Sequence, residues 1–128
     1  MEASLMARVV GVGGIFFKSE DSDKLYEWYA EHLGIIKNDG PGIAFMTADQ
    51  PDAGYLVWSA FQSDTHYFDP ASKGFMFNLI VDDLDGALEQ VQVGGPQLIG
   101  KIESHENGKF GWFMDPDRNK VELWEPKL

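Results

Sequence analysis

Near the C-terminus, the carboxylate of Glu122 and the large aromatic ring of Trp124 are two residues apart, a spacing that could place both in one binding or catalytic site. Residues 120–125 alternate as a β-strand does, so Glu122 and Trp124 point to one face while Val121 and Leu123 point to the other. A carboxylate on the same face as a large ring could bind a cationic ligand or act as a general base. The alternative is an edge strand whose Glu122 side chain lies in water.

The segment before this strand predicts a tight turn. Pro116 fixes φ at a value suited to a turn, and the Asp115 side chain can hydrogen-bond to the backbone that follows it. An aromatic residue, then Asp-Pro-Asp-x-Asn, then a Val-Glu-Leu strand resembles the closing motif of the vicinal oxygen chelate superfamily. That superfamily includes glyoxalase I, the bleomycin-resistance proteins and the extradiol dioxygenases. The chain departs from the motif at Arg118, where the family usually has glycine. The sequence therefore does not decide whether this turn keeps the left-handed backbone conformation.

Composition limits the possible partners. The chain has 128 residues, 44% of them hydrophobic, which suits one compact domain and argues against disorder. A net charge of -11 disfavours nucleic acid and anionic membranes as partners, because phosphate binding needs clustered Lys and Arg. The lack of cysteine excludes disulfides and thiolate nucleophiles. No apolar run is long enough to span a membrane, and Glu2 lies where a signal peptide would be positive, so a cytoplasmic location is expected.

Helix and strand patterns occur twice along the chain, in the same order. In the first half, apolar residues at helical spacing follow a capping residue, Asp21 or Ser22, and Gly34 ends the pattern. The helical positions are Leu25, Trp28, Tyr29, His32 and Leu33. Strands are predicted near 9–17, 35–38, 42–47 and 54–61, with a turn at 38–41.

The second half repeats this order. Asp82 or Asp83 can cap a helix that Gly94 ends, and its apolar positions are Leu84, Ala87, Leu88 and Val91. Strands are predicted near 75–81, 97–104, 109–114 and 120–125. The dipeptide Asn107-Gly108 predicts a hairpin turn between the second and third of these.

A duplicated βαβββ unit is the architecture of the superfamily named above, so the resemblance covers nearly the whole chain. The prediction is an α+β fold of two βαβββ modules, whose curled mixed sheets form a cleft in a single glyoxalase-like domain, 1–128. Module one covers about 8–61, a linker covers 62–73, and module two covers about 74–126.

The resemblance also implies four inner positions that hold the metal in metal-dependent members. In this chain they are Gly14, Leu56, Met76 and Glu122. Only Glu122 offers a hard oxygen donor, whereas a divalent metal needs about three or four nitrogen or oxygen ligands. We therefore expect no metal and no cofactor.

Alternation then gives the neighbours of these positions on the inner face. The predicted ligand-binding residues are Phe16, Leu56, Trp58, Met76, Asn78 and Trp124, together with Tyr67 from the linker. Tyr67 could pack on the core or over the mouth of a pocket. The alternative is that the inner side chains fill the space themselves and leave no cavity. His66 and Glu106 are possible donors at the pocket edge, and His105 is without an assigned role.

Two functions remain open from the sequence. The first is a metal-independent binding protein that holds a small planar or cationic molecule in an aromatic cleft. The second is a glyoxalase-related lyase or isomerase in which Glu122 is the general base, because a lone Glu in an apolar cleft holds its proton more tightly. The expected partners are a small-molecule ligand and a second copy of the chain, in a homodimer.

Overall fold

The second half of the chain forms a four-stranded sheet. The computed structural model describes residues 7–8, 10, 12–37 and 42–127. The strands are β1 (Phe77–Ile80), β2 (Leu98–His105), β3 (Gly108–Met114) and β4 (Lys120–Pro126), and their order in the sheet is β1–β4–β3–β2. The β1–β4 pair is parallel and the other two pairs are antiparallel. The predicted strands of module two and the α+β fold class are confirmed.

Two helices pack on one face of this sheet. Helix α1 (Ser22–Leu33) begins where the Asp21 carboxylate accepts a hydrogen bond from the Lys24 N–H at 3.1 Å, and it ends at Gly34, whose φ of 71° is left-handed. Helix α2 (Leu84–Val93) begins at Asp83. Both helices were predicted at these places. The described residues contain no helix that is long and apolar enough to cross a membrane.

The hydrophobic core lies between these helices and the sheet. Its buried residues are Leu25, Tyr29, Leu84, Ala87, Leu88, Val91, Phe113, Val121 and Leu123. Burial of a side chain of leucine or phenylalanine size contributes about 1.5–3 kcal/mol. Helix α1 belongs to the first half of the chain but forms hydrogen bonds with the second half. Trp28 Nε1 donates to the Gly94 carbonyl at 3.0 Å, and Tyr29 Oη donates to Asp115 Oδ2 at 2.8 Å.

The first half does not form the strands that its sequence predicts. The described residues at 12–17, 35–37, 42–46 and 54–61 lie outside any strand, and a short 3-10 helix covers Thr47–Asp49. The strand prediction is therefore wrong for these residues, and the turn predicted at 38–41 lies outside the described part. An alternating segment becomes a strand only when a neighbour completes its hydrogen bonds. Here the large side chains of these segments stay exposed, among them Phe45 and Trp58.

The turn between β3 and β4 keeps the left-handed residue of the motif. Arg118 has a φ of 64°. The buried Asp115 carboxylate accepts hydrogen bonds from the backbone N–H groups of Asp117 and Asn119, at 2.9 and 2.8 Å, and from Asn119 Nδ2 at 2.9 Å. These bonds hold Arg118 in a conformation that costs a non-glycine residue about 1–2 kcal/mol.

The hairpin between β2 and β3 turns one residue earlier than predicted. Glu106 and Asn107 form the turn, and Gly108 opens β3 with a φ of 133°. A Cβ at Gly108 would overlap the carbonyl oxygen of Glu125. Glycine is therefore required for the start of the strand rather than for the turn itself.

Candidate functional site

Glu122 lies on the sheet face opposite the helices, and three donors surround its carboxylate. Tyr67 Oη and Trp112 Nε1 donate to Oε2 at 2.5 and 2.8 Å, and Asn78 Nδ2 donates to Oε1 at 2.6 Å. We call these four residues the Glu122 cluster. Glu122 is only 8% exposed and its strand lies between β1 and β3, so the alternative of an edge strand in water is wrong. The donors replace the water that the buried carboxylate has lost.

Strand register brings most of this cluster together. Asn78 lies opposite Glu122 in the β1–β4 pair, and Trp112 lies opposite it in the β3–β4 pair. Opposite residues on neighbouring strands project from the same face, so both side chains meet the carboxylate from either side. Tyr67 belongs to the linker, and its hydroxyl approaches the Glu122 carboxylate from a third side.

Burial sets the charge states around this carboxylate. Burial, followed by the hydrogen bond to Glu122, raises the pKa of the Tyr67 hydroxyl well above its usual range, so Tyr67 stays protonated and donates. Lys120 Nζ donates to the Tyr67 carbonyl at 2.6 Å and lies 5.1 Å from the centre of its ring. Burial lowers the pKa of Lys120, although Glu122 and Asp69 act in the opposite direction.

Aromatic rings continue this face beyond the carboxylate. Trp124 and Phe110 are parallel, with centroids 6.0 Å apart, and Tyr55 meets Trp124 edge-on at 4.8 Å. On the other side, Phe61 and Tyr67 stack at 5.6 Å. These rings form an aromatic wall along the sheet, with Trp124 held by a hydrogen bond from Nε1 to the Asn107 carbonyl at 2.7 Å.

The structure brings some of the predicted ligand-binding residues to this face. Asn78 and Tyr67 hydrogen-bond to Glu122, and Trp124 shares its face. Leu56 and Trp58 are 57% and 84% exposed and form none of the described hydrogen bonds or ring contacts of the cluster. In place of Leu56, its neighbour Tyr55 packs on Trp124.

Phe16 and Met76 lie together elsewhere. They line a groove of about 520 Å³ between residues 15–18 and residues 73–77, which we call the Phe16 groove. Neither residue takes part in the described hydrogen bonds of the Glu122 cluster. The predicted inner face is therefore divided between an aromatic wall and a separate groove.

The histidines have local partners away from this cluster. His66 Nδ1 lies 3.0 Å from Asp69 Oδ2, and His105 Nε2 lies 3.0 Å from Glu103 Oε1, with both rings more than half exposed. Glu106 is an exposed turn residue. Within the described ranges, no three His, Cys, Asp or Glu side chains are grouped as a metal site requires.

Sequence reasoning missed four residues of this site: Trp112, Phe110, Tyr55 and Phe61. The first two carried a readable signal, because a tight turn at 115–119 pairs residue 114 with residue 120 and hence Trp112 with Glu122 and Phe110 with Trp124. Tyr55 and Phe61 carried no such signal, since their segment forms no strand.

The comparisons with known proteins give the fold. No protein-family model and no curated protein sequence matches the chain. Among solved structures, it is similar to TnmS3, an antibiotic binding protein from Streptomyces sp. CB03234, with 24% identity, 85% of this chain and 89% of that chain covered, and a TM-score of 0.53. It is similar to UcmS2 with 18% identity, 94% of this chain and 98% of that chain covered, and a TM-score of 0.54. The chain has the vicinal oxygen chelate fold.

A further neighbour is a member of the glyoxalase/bleomycin resistance protein/dioxygenase superfamily from Sphaerobacter thermophilus DSM 20745. It shares 19% identity, with 94% of this chain and 98% of that chain covered and a TM-score of 0.47. At such identities the likeness extends to the fold alone. The resemblance predicted from the closing motif is confirmed at the level of the fold, on the TnmS3 and UcmS2 structures.

Proposed function

We propose that the chain is a metal-independent protein that binds a small planar or cationic molecule against the aromatic wall beside Glu122. The observation that carries this proposal is the Glu122 cluster: a buried carboxylate with three donors, set among aromatic rings on the uncovered face of a sheet. A face of this kind offers ring surface for contact and a few fixed polar groups for orientation, as small-molecule sites do.

The same cluster weighs against the alternative, a glyoxalase-related lyase or isomerase with Glu122 as general base. A base needs an oxygen that is free to reach the proton of the substrate. Both Glu122 oxygens already accept hydrogen bonds, from Tyr67, Trp112 and Asn78. Oε2 accepts two of these bonds and Oε1 accepts one, so a substrate would have to reach the one remaining lone pair of Oε1 or displace a donor at a cost of about 1–3 kcal/mol.

Metal independence follows from side-chain chemistry at the inner positions. Gly14 and Leu56 have no donor atom, and the thioether of Met76 is a soft and weak ligand. Glu122 alone cannot complete a divalent metal site.

Of the two ligand chemistries, the planar one has the stronger support. The stacked Tyr67 and Phe61 rings are 41% and 47% exposed and offer faces on which a flat molecule can lie, whereas Trp124 is only 4% exposed and supports this surface from within. A cationic ligand would need the Glu122 carboxylate as its partner. Hydrogen-bond donors already surround that carboxylate, and the positively charged Lys120 lies nearby. A planar, uncharged ligand is therefore the better match for this face.

We also propose that the chain works as a homodimer. Several large apolar side chains of the first half are exposed, including Val10 at 89%, Trp58 at 84% and Ile36 at 69%. A second copy could cover them and supply the neighbours that the predicted strands of module one lack.

The experiment is native mass spectrometry of the purified chain, followed by titration of any co-purifying molecule by tryptophan fluorescence. We expect Glu122→Gln to retain affinity for a neutral planar ligand within about threefold, because ring contacts supply most of the binding. A cationic ligand should lose about tenfold or more. Glu89→Gln removes an exposed carboxylate of α2 and is the matched control.

Glu122→Gln is more than a change of charge. Its amide nitrogen faces at least one N–H or O–H donor of the cluster, so the variant should also lose about 1–3 kcal/mol in the free energy of unfolding. Turnover of the ligand by the native chain, abolished in Glu122→Gln with binding intact, would establish the lyase or isomerase and overturn the binding proposal.

A further inference from the structure

The Phe16 groove is a second concave surface whose chemistry differs from that of the aromatic wall. It is lined by Ile15, Phe16, Phe17, Lys18, Lys73, Phe75, Met76 and Phe77. Its volume of about 520 Å³ lies within the range of small-molecule sites. Six of these eight residues are apolar, and the two others are lysines.

The apolar part of the groove is a set of phenylalanine rings. Phe77 contacts Phe17 at a centroid distance of 4.7 Å and Phe75 at 5.2 Å, so these three rings form one continuous surface. Phe16 is 94% exposed and is free to close over a molecule in the groove. The flexible Met76 side chain can adapt to the shape of a ligand. An aromatic molecule would find ring faces on both sides.

The lysines supply the only charge in this lining. Lys73 Nζ donates to the Asp117 carbonyl at 2.9 Å and to Asn119 Oδ1 at 2.6 Å, and it lies 5.8 Å from the centre of the Phe75 ring. Both hydrogen-bonding partners are uncharged, so they fix the ammonium group without pairing its charge. Within the described residues, neither Lys18 nor Lys73 forms an ion pair with a carboxylate.

This placement is unusual for the chain as a whole. The sequence has 10 Lys and Arg against 21 Asp and Glu, yet no Asp or Glu lines the groove. A negatively charged group would meet one fixed and one mobile ammonium at the rim, while its apolar part lay on the phenylalanine rings.

We propose that the Phe16 groove binds a planar aromatic anion, with its ring system on Phe17, Phe75 and Phe77 and its anionic group between Lys18 and Lys73. This inference goes beyond the proposed function, because it assigns a second site and an anionic ligand class to two residues, Phe16 and Met76, that lie outside the Glu122 cluster.

Two fluorescent probes of nearly the same shape test the proposal: the anionic 8-anilinonaphthalene-1-sulfonate and the neutral N-phenyl-1-naphthylamine. We expect the anionic probe to bind more tightly. Lys18→Gln should weaken the anionic probe about three- to fivefold and leave the neutral probe unchanged. Lys101→Gln, an exposed lysine of β2 outside the groove, is the matched control. Added salt should weaken only the anionic probe.

A second pair of variants tests the location. Met76→Trp fills the groove and should weaken both probes about tenfold or more, whereas Met46→Trp places the same ring at an exposed position outside the groove and should weaken neither. Far-ultraviolet circular dichroism that matches the native chain shows that each variant has folded.

The failures are distinguishable. Equal affinity for the two probes, unchanged by Lys18→Gln, overturns the anionic assignment. If Met76→Trp still weakens both probes in that case, the groove remains a small-molecule site. Binding that Met76→Trp does not affect, or no binding of either probe, removes the groove as a ligand site. The Glu122 titration is a separate test, because it follows a co-purified molecule and compares Glu122→Gln with Glu89→Gln, neither of which changes the lining of the groove.

Discussion

Glu122 matches the closing motif, but in this structure its carboxylate accepts hydrogen bonds from three neighbouring side chains. The resemblance of the closing motif implied that a Glu at this place binds metal in the metal-dependent proteins of that superfamily. Here its oxygens accept hydrogen bonds from Tyr67, Asn78 and Trp112, which come from the linker and two neighbouring strands. The carboxylate therefore positions three side chains, and the aromatic wall is ordered around it.

Arg118 is the residue at which the chain departs from the motif, and the structure lets us predict the consequence. Its φ of 64° is left-handed, which glycine adopts without a Cβ clash. We expect Arg118→Gly to raise the free energy of unfolding by about 1 kcal/mol, measured by urea denaturation. Arg118→Ala keeps the Cβ and is the control; equal stabilisation by both variants would assign the gain to loss of the arginine side chain instead.

Tyr29 links α1 to the turn before β4, and its titration gives a prediction at alkaline pH. Burial, and then Asp115, raise the pKa of Tyr29 above its usual value of 10.0, and the pKa of Tyr67 is raised as well. Above pH 10 the unfolded chain loses these protons first, so the free energy of unfolding should fall by up to about 1.4 kcal/mol per pH unit from Tyr29, and by less from Tyr67, which is 41% exposed and screened by solvent. Below pH 10 their contribution is fully present.

Comparison of variants isolates this effect, because Lys120, whose pKa is lowered, acts in the opposite direction. Tyr29→Phe should reduce the alkaline slope by one tyrosine and should cost about 1–3 kcal/mol at neutral pH, since the buried Asp115 loses a donor. Tyr26→Phe is the control, because the Tyr26 hydroxyl forms none of the described side-chain hydrogen bonds. An unchanged slope in Tyr29→Phe would contradict the prediction.

At the scale of elements, the linker at 62–73 is an anchored strap. Tyr67 is held through its hydroxyl by Glu122 and through its carbonyl by Lys120, and Lys73 fastens the far end to the turn at 115–119. The presence of aromatic residues in the linker predicted that it would pack back on the protein. It did not predict the partner, because the sequence does not show which strand passes beneath the linker.

Removal of one anchor should loosen this strap. We expect Tyr67→Phe to speed amide hydrogen exchange of residues 62–73 by about tenfold, because a hydrogen bond to a buried carboxylate is lost while the ring contacts remain. Tyr55→Phe is the matched control, since that hydroxyl forms none of the described side-chain hydrogen bonds. Peptide-level exchange followed by mass spectrometry measures both, and identical exchange in the two variants would show that Glu122 does not hold the linker.

Elements that carry their own signals were predictable from the sequence, and those that depend on a neighbour were not. Both helices have a capping aspartate, apolar positions at helical spacing and a glycine end, and the structure begins and ends them there. The β3–β4 pair follows from its turn. Residues 42–47 and 54–61 also carry apolar and aromatic residues that suit strands, but strand formation needs a partner that the sequence pattern does not identify. Leu56 and Trp58 were predicted on the inner face because residues 54–61 were expected to form a strand, which they do not.

At the scale of the whole molecule, the chain exposes more surface than a compact monomer. Its accessible area is 9786 Å², whereas a folded monomer of 14.3 kDa exposes about 6,800 Å². The excess is about 3,000 Å² for one chain, whereas an obligate homodimer buries about 1,000–2,500 Å² on each partner, so this excess is enough for such an interface. Part of the exposed apolar surface lies in residues 54–61, an apolar segment that was predicted as a strand and pairs with no strand in the structure.

A pair of valines tests whether a second copy covers this segment. Val57 and Val93 are both exposed, at 66% and 84%, but Val57 lies in residues 54–61 whereas Val93 ends α2. We expect sedimentation to show a dimer of the native chain at micromolar concentration. Val57→Asp should weaken dimerisation about tenfold or more, because a charge would be buried without a partner, and Val93→Asp should leave it unchanged. A native chain that sediments as a monomer would contradict the homodimer, and equal weakening by both variants would place the interface elsewhere.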